Sequence, residues 1–125
     1  MGLFGRNKNK NKVNENHSRK LMSSFDLMEY FIVKDRTNET VLGLCDTILS
    51  GKPVLANFDK LSPSDCNYIL AFMSGVIYAT EGEVVPVGDR LYLFARKEEF
   101  EDGTLREYVE DIHQSWFMLN MLFTY

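Results

Sequence analysis

SPSDCNYILAFMSGVIYATEGEVVPVGDRLYLFA, residues 62–95, decides the fold, because it holds a helix start, a helix end and a hairpin in sequence. Ser62 offers an N-cap hydroxyl, Pro63 suits the first helical position, and Asp65 puts a carboxylate where orphan N–H groups and the helix dipole favour it. The spacing predicts a helix to about Thr80, ended by Gly82. Val84, Val85 and Val87 read as a strand that Pro86 makes an edge or irregular one. Gly88-Asp89 suits a two-residue type II′ turn, with glycine supplying the positive φ. Leu91–Ala95 is the returning strand. Alternation sends Leu91 and Leu93 to one face and Tyr92 and Phe94 to the other, so both faces are apolar.

Upstream, Tyr30–Val33 is a short aromatic and β-branched run that predicts a buried strand. Val41, Leu42, Leu44, Cys45, Ile48 and Leu49 repeat at helical spacing and predict a helix over Glu39–Ser50, with Asn38 as N-cap and Gly51 just past its end. Val54–Phe58, opened by Pro53, is a second strand. Downstream, Thr104 and Glu107 form a capping-box pattern opening a third helix through His113 or Trp116. The order βαβαββα predicts a small sheet with helices packed on it. Residues 1–20 form a polar arm, 21–116 the folded domain, and 117–125 an apolar extension.

Charge divides the chain. Six basic residues against Glu15 alone leave residues 1–20 at +5, whereas eight basic and 17 acidic residues leave 21–125 at −9. The arm's Asn/Lys tract buries too little apolar surface to fold, and reads as a disordered linker. A basic arm and an acidic body take different partners, and the acidic body argues against nucleic acid. Arg6, Lys8 and their neighbours suit an anionic membrane surface, with Leu3 and Phe4 as the inserting residues. Gly2 does not complete a myristoylation signal, because Arg6 stands where Ser or Thr is required. No signal peptide and no apolar run of spanning length is visible. Cys45 and Cys66 lie outside any CxxC and read as packing residues of a reducing cytosol.

No catalytic constellation emerges. His17 and His113 are far apart in sequence, no Cys/His spacing suggests a metal, and no phosphate-binding glycine motif follows a strand. Neither metal nor cofactor is expected. Glu98, Glu99, Glu101 and Asp102 read as a solvated acidic loop.

The helix over 63–80 carries the functional signal. It has no charged residue from Cys66 to Thr80. One stripe is Cys66, Ile69, Leu70, Met73, Val76 and Ile77; a second is Tyr68, Phe72, Gly75 and Ala79. A helix with one side in water should show charge there, so a partner is expected on the second stripe. Glycine costs a helix interior about 1 kcal/mol relative to alanine. Gly75 therefore marks close packing, either on the chain's own sheet or against a second copy. From Trp116 to Tyr125, only Asn120 and Thr124 break an apolar run that either packs on the core or contacts another subunit, a partner or lipid.

Several segments, in order, resemble the SepF cell-division family: PVLANF at 53–58, AFMSGVIYA at 71–79, Gly82-Glu83, and VGDRLYL at 87–93. The likeness extends over roughly 30–116, with Ala71 and Pro86 standing where the family commonly has an Asp and a basic residue. The resemblance implies an α/β fold, a two-layer sandwich of two or three helices on a small four- to five-stranded mixed sheet. It implies a dimer able to associate further, binding of the C-terminal tail of the tubulin-like division protein FtsZ, and membrane attachment through the N-terminus. It places Tyr92 and Leu91 at the tail-binding surface, with Val87 and Arg90 beside them, and Phe72 and Gly75 in a self-association helix with Tyr68 and Met73. The expected function is a non-enzymatic adaptor at the cytoplasmic face of the membrane, tethering the division ring there. The alternative is a regulatory interaction module of the anti-sigma-antagonist type, for which Ser62 is the one candidate switch serine.

Overall fold

The computed structural model describes residues 22–123. The elements are α1 (Ser24–Leu27), β1 (Glu29–Ile32), α2 (Asn38–Leu49), β2 (Val54–Asn57), α3 (Pro63–Ala79), β3 (Glu83–Gly88), β4 (Leu91–Ala95), a 3-10 turn (Lys97–Phe100) and α4 (Thr104–Phe123). The strands form one mixed sheet in the order β1-β2-β4-β3. β1 pairs parallel to β2, β2 antiparallel to β4, and β4 antiparallel to β3. The α/β class and the four-stranded sheet are those expected.

Local chemistry sets the helix ends. Ser62 Oγ accepts from the Asp65 N–H at 3.1 Å, and Pro63 opens α3 as predicted. The end of α3 differs from expectation. Glu81, not Gly82, takes the left-handed conformation at φ 55°. Gly82 N–H bonds to Ile77 C=O and Glu81 N–H to Tyr78 C=O, the two bonds of a Schellman close. Gly82 is needed for another reason: a Cβ there would run into the Ala95 carbonyl of β4. At α2, Thr37 rather than Asn38 is the N-cap, accepting from the Thr40 N–H.

The hairpin turn is also displaced. A bulge between Pro86 and Gly88 shifts the register, Gly88 pairs with Leu91, and the turn residues are Asp89 and Arg90. Arg90 carries the positive φ, 59°. Two bonds hold it: its carbonyl accepts from Phe58 N–H, and its guanidinium donates to Leu61 C=O, both at 2.8 Å.

Both faces of the sheet are covered over β2 and β4. Val54, Leu55 and Ala56 are buried in succession, the mark of an interior strand with helices on each side. Val54, Ala56 and Phe94 meet α2 and α3 through Leu44, Ile48, Ile69 and Met73. Leu55, Leu93 and Ala95 face the other way, toward Leu105 and Val109 of α4. α2 and α3 form the helical layer of the expected sandwich, and the first half of α4 covers the opposite face. This accounts for the apolar residues on both sides of Leu91–Ala95.

Two readings downstream of the sheet are corrected. The acidic residues at 98–102 are not simply solvated. Glu99 is buried and takes a two-pronged bond from Arg96, at 2.7 and 3.1 Å. Asp102 accepts from the Ser24 N–H at 2.7 Å and from the Thr104 N–H and hydroxyl at 3.0 and 2.8 Å. Thr104 is therefore the first residue of α4 rather than its N-cap, with Asp102 capping it. α4 runs on past Trp116 to Phe123, so the extension at 117–125 continues that helix for its described part. It does not pack on the core: Trp116, Phe117, Met118, Leu119, Met121 and Leu122 are all exposed.

Candidate functional site

α3 is amphipathic in an unusual sense, because both of its stripes are apolar. Cys66, Ile69, Met73 and Ile77 face the sheet and are buried. Tyr68 and Phe72 are each 43% exposed, Tyr78 is 87% exposed, and Gly75 and Ala79 complete the outer surface. Residues 68, 72, 75 and 79 follow helical spacing and share one face. A Cβ built on Gly75 meets nothing within 4 Å. Close packing of Gly75 on the chain's own sheet is therefore excluded; the residue opens a flat gap in an exposed aromatic stripe. Charge comes only from the margin, where the Arg36 guanidinium lies over the Tyr68 ring at 4.9 Å and approaches Asp65 at 3.4 Å. Met73, expected in the same contact, is fully buried in the core and cannot reach another chain while α3 stays on its sheet.

The hairpin residues are split between the two faces. Tyr92 is half-buried on the α2–α3 side, its ring centroid 5.6 Å from Phe58 and 6.5 Å from Phe94. Leu91 is half-buried on the α4 side. Val87 is buried there against α4, which withdraws it from direct contact with a partner. Arg90 is tied by its guanidinium to the Leu61 carbonyl, so its charge stands at the rim of the Tyr92 side rather than free to swing. Leu3, Phe4, Arg6 and Lys8 lie outside the described residues.

Two features were missed from sequence. A cleft of about 500 Å³ lies between the hairpin turn and α4, lined by Pro86, Val87, Gly88, Asp89, His113 and Trp116. The His113 ring nitrogen sits 3.0 Å from the Pro86 carbonyl at one wall. Nothing local in the sequence joins position 86 to position 113; only α4 lying on the second face does. The other feature is the α1–α4 junction. Partial burial raises the Asp102 carboxyl, but the bonds from Ser24 and Thr104 outweigh that and hold it at about 2. Phe25 N–H also donates to Thr104 Oγ1, and the Phe25 and Tyr108 rings lie 5.2 Å apart. A second cleft of about 280 Å³ follows this junction.

Cys45 and Cys66 are free and buried, as expected. Burial, and Asp46 beside Cys45, push the Cys45 thiol up. Burial also raises Cys66, against a smaller downward pull from Arg90. Ser62 is engaged as a cap, so its hydroxyl is not presented as a switch. Among the described residues no three His, Cys, Asp or Glu side chains converge as a metal group.

The family model described as Cell division protein SepF matches residues 33–98, which spans α2, β2, α3 and the hairpin. Cell division protein SepF of Caldanaerobacter subterraneus subsp. tengcongensis is 28% identical over 86 residues, covering 69% of this chain and 64% of that protein. The protein of the same name from Lactobacillus gasseri is 35% identical over 68 residues, covering 54% and 46%. The chain thus spans less than two thirds of the length of these relatives. A solved structure described as a SepF-like protein from Pyrococcus furiosus aligns at a TM-score of 0.49 and 16% identity, over 57% of this chain and 87% of that one.

Proposed function

The chain belongs to the SepF family of cell division proteins, and from that membership we propose that it acts as a division adaptor. In this reading two copies pair through the outer stripe of α3. The rim of the hairpin on the α2–α3 side, with Tyr92 as anchor and Arg90 beside it, takes the C-terminal tail of FtsZ. Residues 1–20 attach the complex to the inner face of the membrane at the division site. The work is binding, not catalysis.

The observation that carries the pairing is the stripe Tyr68, Phe72, Gly75, which is exposed, free of charge and open at the glycine. Soluble single chains seldom keep such continuous apolar surface unless it has a use. Tyr92 supports the peptide site in a different way. It is half-buried among rings, and an aromatic with a polar tip suits a surface that is dry when occupied and wet when empty. The arm's charge of +5 supports attachment to anionic lipid at about 1 kcal/mol per basic residue near the surface, and pairing would present two arms at once. The decisive experiment is a calorimetric titration of the full chain with a synthetic FtsZ C-terminal peptide and a scrambled control. Saturable binding of the native peptide alone is expected. Equal heats from both peptides, or none from either, would sink the adaptor reading.

A further inference from the structure

We propose that the end of α4, residues 116–122, is a lipid-inserting element that enters the boundary between headgroups and acyl chains of one bilayer leaflet. The two halves of α4 differ in kind. In the first half Leu105 and Val109 are buried on the sheet while Arg106, Glu107, Glu110 and Asp111 face solvent. That is one stripe with a charged back. The second half has no such division. Trp116 is 64% exposed, Phe117 62%, Met118 59%, Leu119 54%, Met121 49% and Leu122 76%. Consecutive helical residues point about 100° apart, so positions 116 to 119 alone place large apolar side chains all the way round the helix.

That distribution decides the occupant. A second helix or a protein groove covers one stripe, which is two or three of these six side chains. Large aromatic side chains have about 150–250 Å² each to bury. Even allowing the Met and Leu side chains as much, three of these six residues at the observed exposures bring about 300–400 Å², half of the ~800 Å² per partner that a stable interface uses. The rest would stay in water. Hydrocarbon wets every side at once. The segment is about 10 Å long at 1.5 Å per residue, well within one leaflet of a ~30 Å core. Consistently, no helix among the described residues is long and apolar enough to cross a membrane. Trp116 opens the segment, and tryptophan collects at the membrane interface, so the segment lies oblique there rather than pointing at the bilayer centre.

Charge chooses the lipid. No Lys or Arg follows Arg106, and Glu107, Glu110 and Asp111 precede Trp116 by one to three turns. This element therefore favours zwitterionic over anionic surfaces, and on a zwitterionic surface its binding is insensitive to salt, the reverse of the basic arm at residues 1–20. It also lies outside the stretch that matches the family, residues 33–98, and does not rest on the adaptor reading.

Trp116 is the one tryptophan in the chain, which makes it a reporter inside the segment. The full-length protein is titrated with phosphatidylcholine vesicles at high salt, and its emission is followed with ordinary and bromine-labelled acyl chains. A blue shift and quenching by the bromine label are expected. The variant carrying Phe117→Ser and Leu122→Ser, both at exposed positions, should keep its melting temperature and partition at least about tenfold more weakly. An emission maximum unmoved by vesicles, or a blue shift that follows protein concentration and ignores vesicles, overturns the proposal; the second result would assign the segment to another copy of the chain. Equal partitioning by the double variant overturns it as well.

Discussion

Replacing Gly75 by lysine separates the single chain from its assembly, because the two should respond with opposite signs. A Cβ at position 75 has open space around it, so the folded monomer has room for the side chain. Lysine is a far better helix former than glycine, by about 0.7 kcal/mol in a helix interior. For a domain of this size that raises the melting temperature by about 3–5 °C. Self-association should move the other way. If the Tyr68–Phe72–Gly75 stripe meets its copy, each partner brings an ammonium into an apolar contact. Even after the side chain bends its charge toward water, a loss of about 2 kcal/mol is expected, roughly thirtyfold in dissociation constant. Sedimentation velocity across a concentration series measures the assembly. Thermal melts at the lowest concentration, where both proteins are monomeric, measure the chain free of mass action. Superimposable sedimentation of Gly75→Lys and wild type, or a wild type that stays monomeric at micromolar concentration, refutes the pairing surface. A lowered monomer melting temperature would refute the open geometry at Gly75.

Three further outcomes follow. Tyr92→Ala should weaken FtsZ-peptide binding by about 1–3 kcal/mol while circular dichroism keeps a native spectrum; it should also lower stability, since the Phe58 and Phe94 rings lose a neighbour. Unchanged peptide affinity would remove Tyr92 from the site. Deleting residues 1–20 should abolish the salt-sensitive share of binding to anionic vesicles and leave the fold intact, so persistence of that share in co-sedimentation would move the basic contact elsewhere. Asp102 sets an acid limb: its carboxyl is held at about 2 when folded, below the 3.8 of a free carboxyl, so its stabilisation is complete above about pH 4 and is lost as pH falls through 2. The side chain is exposed, so screening reduces the effect to on the order of 1 kcal/mol. Urea titrations at pH 4 and pH 2.5 should show that loss in wild type and not in Asp102→Asn; parallel losses would show that the cap does not act through its charge.

Much of the fold was legible because its signals are local. Ser62-Pro63 sets the start of α3 within one turn, and the alternation in Leu91–Ala95 sets a strand whatever packs on it. The second apolar stripe of α3 was legible for the same reason: periodicity within one helix needs no tertiary knowledge. What escaped the sequence depends on distant partners. Asp102 looks like one more acid in a loop until α1 brings the Ser24 amide to it from 78 positions away. Glu99 looks solvated until the 3-10 turn folds Arg96 back over it. At the hairpin, glycine was the residue best suited to a positive φ, but the bulge after Pro86 moved the turn on, and Arg90 tolerates the conformation through its bonds to Phe58 and Leu61. The two apolar sides of β4 are largely the consequence of helices on both faces, which a strand's own pattern cannot reveal.

The division of surfaces between the two faces of the sheet bears on how an adaptor would work. α1 packs on α4 through Phe25 and Tyr108, and both helices share the Asp102 carboxylate. α1 therefore lies on the α4 side of the sheet. The end of α4 belongs to one side of the sheet, while the open stripe of α3 belongs to the other. Neither contact has to vacate its surface for the other to form. Pairing then adds avidity by joining two sets of weak lipid contacts, without consuming any of them. Gly75→Lys should accordingly weaken vesicle binding only through lost avidity, and the Trp116 shift at saturating lipid should match that of wild type. If breaking the α3 contact also abolished that shift, the end of α4 would depend on the assembly, and the two faces would not be independent.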